Sequence, residues 1–157
     1  MSKKKVQLPL LMIGRSCAAC EQGMDAVIAH DTVAFNRYGW YAHIVQADPD
    51  YPFGVNYHTH GLLQSLKHKD FQICLCLSPE IAHSIVSDLV EHIKAGETFE
   101  AGKVASGIIR GGYNITFANA KECDRDVLRI IFPDKEGALS RDVISEAYRP
   151  QWEGTTP

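Results

Sequence analysis

Phe53-Gly-Val-Asn-Tyr-His-Thr-His-Gly-Leu62 reads as a β-strand whose two faces carry different chemistry. Alternate residues of an extended chain share a face. Phe53, Val55, Tyr57 and Thr59 therefore make an apolar side, while Asn56, His58 and His60 line up on the other. Just upstream, Asp48-Pro-Asp-Tyr-Pro52 is dense in turn formers, and Trp40 to Ala47 has the aromatic and β-branched weight of a strand. The two strands are expected to pair as a hairpin, with a short helical piece at Leu62 to Leu66 after it.

Working outward, Phe71 to Leu77 alternates again, with Phe71, Ile73, Leu75 and Leu77 on one face and Gln72, Cys74 and Cys76 on the other. The best-marked helix follows. Ser78 is the expected N-cap, Pro79 takes the first helical position and Glu80 suits the positive end of the helix dipole. Ile81, Ile85, Leu89 and Ile93, with Ala82, Val86 and Val90, form an apolar stripe before Gly96 ends the run. Such a stripe belongs on a sheet. Toward the N-terminus, Val6 to Ile13 has strand character, with Pro9 pointing to an edge. Ser16 would cap a helix from Cys17 to about His30. Toward the C-terminus, Lys103 to Ile109, a Gly111-Gly112 turn and Tyr113 to Ala118 suggest a hairpin. Val127 to Phe132 suits a central strand buried on both faces, Pro133 to Gly137 turns the chain out, and Ser140 to Tyr148 suggests a short helix.

The expected fold is a single α+β domain. A mainly antiparallel sheet of about five to seven strands packs on one main amphipathic helix, with an N-terminal helix besides. Residues 1–5 form a basic terminus and residues 149–157 a tail without periodicity.

A chain of 157 residues is one domain by size and needs no metal or disulfide merely to fold. With 45% hydrophobic and 22% charged residues it is not a disordered, collagen-like or disulfide-scaffold sequence. A net charge of −3 argues against nucleic acid as a partner, because that affinity rests on neutralising phosphates. Lys3-Lys4-Lys5 followed by Val6 to Gly14 imitates a secretory signal, but Gln7, Pro9 and Arg15 interrupt it and a first strand is the better reading. No stretch approaches the roughly 18 apolar residues of a membrane helix. Five cysteines, an odd number, suit free thiols in a reducing compartment, so a cytoplasmic location is expected.

Taken together, Gly39-Trp40 opening a strand, Phe53 to Tyr57 leading through Thr59-His60-Gly61-Leu62, and the Leu77-Ser-Pro-Glu80 helix start resemble the bacterial family known as domain of unknown function 4262. Ala95-Gly96-Glu97 with Phe99 and Gly102, and the Ile131-Phe-Pro-Asp134 to Gly137 turn, extend the resemblance over residues 38–140. It implies a stand-alone domain and supplies no catalytic residue.

Candidate chemistry is sparse. His58 and His60 share a strand face, a common way to present two metal ligands. Alternatively His58 faces water and His60 bonds backbone at the strand end. If the strand Phe71 to Leu77 pairs with polar faces aligned, Cys74 and Cys76 would join the two histidines in a tetrahedral zinc site; otherwise both cysteines are small core residues. Cys17-Ala-Ala-Cys20 at a helix start has the placement of a redox pair, although no parallel βαβ continuation is evident and both cysteines fall on an apolar stripe. Arg110, beside Gly107, Gly111 and Gly112, is an anion-contact candidate. Should a pocket form, Asn56, Tyr57, His58 and His60 would line it. The first function expected is a binding or interaction domain for another protein, a second copy of this chain or a small molecule, because no nucleophile and base can be paired. A small metal-binding protein or metal-dependent hydrolase using His58 and His60, and a thiol redox protein using Cys17 and Cys20, are the alternatives.

Overall fold

The structure is a computed structural model and describes residues 10–13 and 24–156. Its strands are β1 (Leu10–Ile13), β2 (Tyr41–Val45), β3 (Asn56–His60), β4 (Phe71–Ile73), β5 (Val104–Ala105), β6 (Ile115–Glu122) and β7 (Arg125–Ile131). Its α-helices are α1 (Met24–Tyr38), α2 (Leu62–Leu66) and α3 (Pro79–Lys94). The strands form one mixed sheet in the order β1-β2-β3-β4-β7-β6-β5, an α+β domain as expected. No helix among the described residues is long and apolar enough to cross a membrane.

The β2–β3 hairpin forms where the turn signal places it, with His43 opposite His58 and Tyr41 opposite His60. β4 adds antiparallel to β3, and β7 adds parallel to β4. β7 is thus central, and Val127 through Ile131 are all buried. β1 occupies an edge, but it runs parallel to β2 with α1 between them. The chain therefore opens on a parallel βαβ unit that the sequence does not announce. Cys17 and Cys20 lie outside the described residues.

Helix α3 is capped as its sequence dictates, the Ile81 amide donating to Ser78 Oγ at 3.2 Å. Its buried face is Ala82, Ile85, Val86, Leu89, Val90 and Ile93; Ile81 is 53% exposed and drops out of the expected stripe. This face meets Ala42, Ile44, Tyr57, Phe71, Ile73, Leu128 and Ile130 in one core. At roughly 1.5–3 kcal/mol per buried large apolar side chain, that layer supplies most of the driving force. Helix α1 runs on past His30 to Tyr38, since no breaker intervenes before Gly39. Gly39, at φ 78°, closes it, its N–H donating a hydrogen bond to the Phe35 carbonyl. Asp31 of α1 reaches His43, whereas His83 of α3 reaches Tyr57, which alternates with His43's partner His58 along β3. The two helices therefore lie on opposite faces of the sheet.

Three further expectations are corrected. β4 stops at Ile73 because the chain turns there, the Leu77 amide bonding back to the Leu75 carbonyl. Residues 140–148 make two successive turns rather than a helix, because the Ser145 amide donates to Asp134 Oδ2 instead of continuing a ladder. The Gly111-Gly112 hairpin has only Val104–Ala105 as its first strand, while β6 runs on to Glu122 and returns through a tight turn at Cys123-Asp124. The tail is integral to the fold. Gln151 donates to the Phe132 carbonyl and accepts from its amide, Trp152 Nε1 donates to the Leu139 carbonyl, and the Thr156 amide donates to Asn119.

Candidate metal centre

Register builds the site. Because His43 faces His58 across the hairpin and His60 follows two residues on, three imidazoles share the sheet face opposite α3. One nitrogen from each of His43, His58 and His60 lies within 4.8 Å of the others. Ring centroids are 5.0 Å apart for His58 and His60, 5.1 Å for His43 and His60, and 5.7 Å for His43 and His58. Two nitrogens on one tetrahedral zinc stand about 3.4 Å apart, given Zn–N bonds of about 2.0–2.1 Å, so modest ring rotation would bring the set into range.

The triad is dry. His58 is 4% exposed and His43 9% exposed, which corrects the expectation of a water-facing His58. Burial pushes the His58 imidazolium down to about 3, helped by His43 and Arg125 and opposed by the Asn56 backbone. Burial likewise pushes His60 down to about 2, with Arg125, His58 and His43 adding and Glu122 opposing. Both rings are neutral at physiological pH, the form that binds a metal.

Carboxylates stand behind the rings. Asp31 Oδ1 accepts from His43 Nε2 at 2.9 Å and from His30 Nδ1 at 3.0 Å, and Glu122 Oε1 lies 3.5 Å from His58 Nε2. At His43 the Asp31 carboxylate holds the proton on Nε2 and leaves Nδ1 with its lone pair. His58 Nδ1 is buried and has no hydrogen-bond partner among the described residues, a cost that a bound ion would remove.

Arg125 braces this arrangement from the β6–β7 turn. Its Nε donates to Glu122 at 2.6 Å, its Nη1 to Asp70 at 3.1 Å and its Nη2 to the Thr59 carbonyl at 2.6 Å. Asp70 in turn accepts from Thr59 Oγ1 and from the Leu62 amide that opens α2. Its carboxyl is raised above the usual range by burial, against the lowering effect of Thr59 and Arg125. Three carboxylates, Asp31, Asp70 and Glu122, thus surround the site against one guanidinium, an excess that a divalent cation balances.

A cavity of about 510 Å³ opens beside the triad, between α1 and the sheet. Its lining includes Asp31, Phe35, Tyr41, His60, Gln64 and Arg125. The Tyr41 ring stacks on His60 at 5.0 Å, and burial raises its hydroxyl so that it stays protonated. Gly61, at φ 98°, lets α1 come close: a Cβ there would stand 2.8 Å from the Phe35 ring.

The other candidate residues go elsewhere. Tyr57 points into the core and its hydroxyl bonds His83 Nδ1 at 3.0 Å. Asn56 is buried on the polar face but accepts from Gln72 Nε2 at 3.0 Å, in a network with Arg129 rather than with the triad. Cys74 is buried with its thiol pushed up to about 12, Cys76 is exposed, and neither joins a ligand group with His58 and His60. Arg110 sits in the loop between β5 and β6, toward the far edge of the sheet. His43, Asp31, Glu122 and Arg125 were not foreseen. The signal for His43 was available, since a hairpin centred on Asp50–Tyr51 pairs it with His58.

The family model for a domain of unknown function, DUF4262, matches residues 34–140. The chain belongs to the DUF4262 family. The matched span holds His43, His58, His60, Asp70, Glu122 and Arg125, and α1 brings Asp31 from just before it. No curated protein and no solved structure matches the chain.

Proposed function

We propose that this DUF4262 protein is a metal-binding domain in which His43, His58 and His60 hold one divalent transition-metal ion, zinc first among them. The observation that carries this reading is the approach of three imidazole nitrogens to within 4.8 Å of one another, on adjacent strands, with His43 and His58 shielded from water. Imidazole donors suit zinc, copper and nickel better than the oxygen-seeking magnesium or calcium. Asp31 and Glu122 would orient the ligating rings from behind, as carboxylates do at metal sites. Free thiols at Cys74, Cys76 and Cys123 are in keeping with a reducing, cytoplasmic setting.

Elemental analysis of tag-free protein purified without chelator tests this. About one zinc per chain is expected, lost in His43→Ala and in His58→Ala/His60→Ala but retained in Cys74→Ser/Cys76→Ser. Metal retained without His43, or folded wild-type protein that refuses zinc on titration, overturns the assignment.

A further inference from the structure

We propose, resting on the metal-binding reading above, that the cavity beside His60 binds a small carboxylate-bearing molecule, one oxygen taking the open coordination position of the metal and the carboxylate anchored also by Arg125. Three protein ligands leave a tetrahedral ion one short, and sites that keep a position open exchange ligands there, whereas purely structural sites are closed by a further side chain. Among the described residues no additional histidine or cysteine approaches all three imidazoles. Asp31, the nearest carboxylate, is already committed to His43 and His30.

The direction of the opening follows from which ligand meets the cavity. His60 lines it; His43 and His58 do not. A ligand entering from solvent therefore reaches the ion along the His60 side, past the Tyr41 ring stacked on it.

The chemistry of the lining selects the ligand. Arg125 is the one cationic side chain among the described lining residues. Its bonds to Glu122, Asp70 and Thr59 hold the guanidinium rigidly, and it still has N–H donors to spare. Asp70 spends Oδ1 on Thr59 and Leu62 and Oδ2 on Arg125 itself, and Asp31 Oδ1 faces two imidazoles. A carboxylate entering the cavity meets the remaining Arg125 N–H groups and offers an oxygen to the ion. Ile28 and Phe35 offer apolar wall for the rest of the molecule, while Asn36 and Gln64 stand at the exposed rim.

The test uses cobalt-loaded full-length protein, whose visible absorption reports the ion's ligands. Acetate should change the spectrum saturably, and neutral acetamide should not. Gln64→Trp, which fills the rim without touching the triad, should keep cobalt yet bind acetate at least about tenfold more weakly, a factor worth about 1.4 kcal/mol. Arg125→Lys should weaken acetate similarly. A cobalt spectrum indifferent to acetate, or an acetate response unchanged in Gln64→Trp, overturns the proposal while leaving the metal site standing. Failure of the protein to take up cobalt at all overturns the metal reading and this one with it.

Discussion

The two faces of the sheet hold together by opposite means. The face under α3 is a continuous apolar layer, where Ala42, Ile44, Tyr57, Phe71, Leu128 and Ile130 meet the stripe from Ala82 to Ile93. The other face buries polar groups. On it His43, His58 and His60 stand together, and Gln72, opposite His58 on the next strand, links Asn56 to Arg129. Arg129 itself is 2% exposed and bonds the carbonyls of Gln151 and Glu153. The first face is non-directional and sensitive to volume. The second is directional, so each missing partner costs free energy and the face responds to protons.

That contrast can be broken by measurement. The largest effect should come from the apolar face: Leu89→Ala, at a fully buried site, should cost about 2–5 kcal/mol in urea unfolding, with little dependence on zinc. A smaller loss attached to zinc would mean that the faces are coupled more tightly than their contacts suggest. On the polar face, Gln72→Leu conserves bulk but orphans Arg129 Nε and Asn56 Oδ1, and should cost about 1–3 kcal/mol without changing metal content. A neutral result would mark that network as dispensable.

Acid should separate the faces further. His58 and His60 have folded values of about 3 and about 2, below the ordinary value of 6.5, so the unfolded chain binds more protons across that interval. Their contribution is fully present above 6.5 and is lost as pH falls toward 3. The slope should approach about 1.4 kcal/mol per pH unit for each ring. His83, on the apolar face, is lowered to about 4 by burial and adds to it over a narrower range. Unfolding midpoints between pH 4 and 7 should therefore flatten more in His58→Phe/His60→Phe than in His83→Phe. The reverse order would move the pH-sensitive chemistry to the wrong side of the sheet.

Much of this was legible in the residues. Turn chemistry at Asp48 to Pro52 placed the hairpin, Ser78-Pro79-Glu80 placed the helix start, and alternation put His58 and His60 on one face. What escaped was tertiary. His43 sits in Tyr-Ala-His-Ile-Val, a strand whose own pattern gives no hint of a ligand until its register is counted. Asp31 comes from a helix and Arg125 from the start of a strand far along the chain, and no local pattern joins them. Cys74 and Cys76 misled because alternation persists past Ile73, where the backbone has already left the sheet. The 140–148 segment reads as helix-forming, but Asp134 competes successfully for one of its amides.

The close approach at Gly61 gives one backbone position control over a site in which it has no chemical part. Any side chain there would push against the Phe35 ring and the Gly39 carbonyl and lift α1, carrying Asp31 away from His43 and raising the roof of the cavity. Position 61 therefore works as a spacer whose thickness is the absence of a methyl group, and a substitution there would surface as a change in the cavity and in the Asp31–His43 contact before it surfaced as a loss of fold.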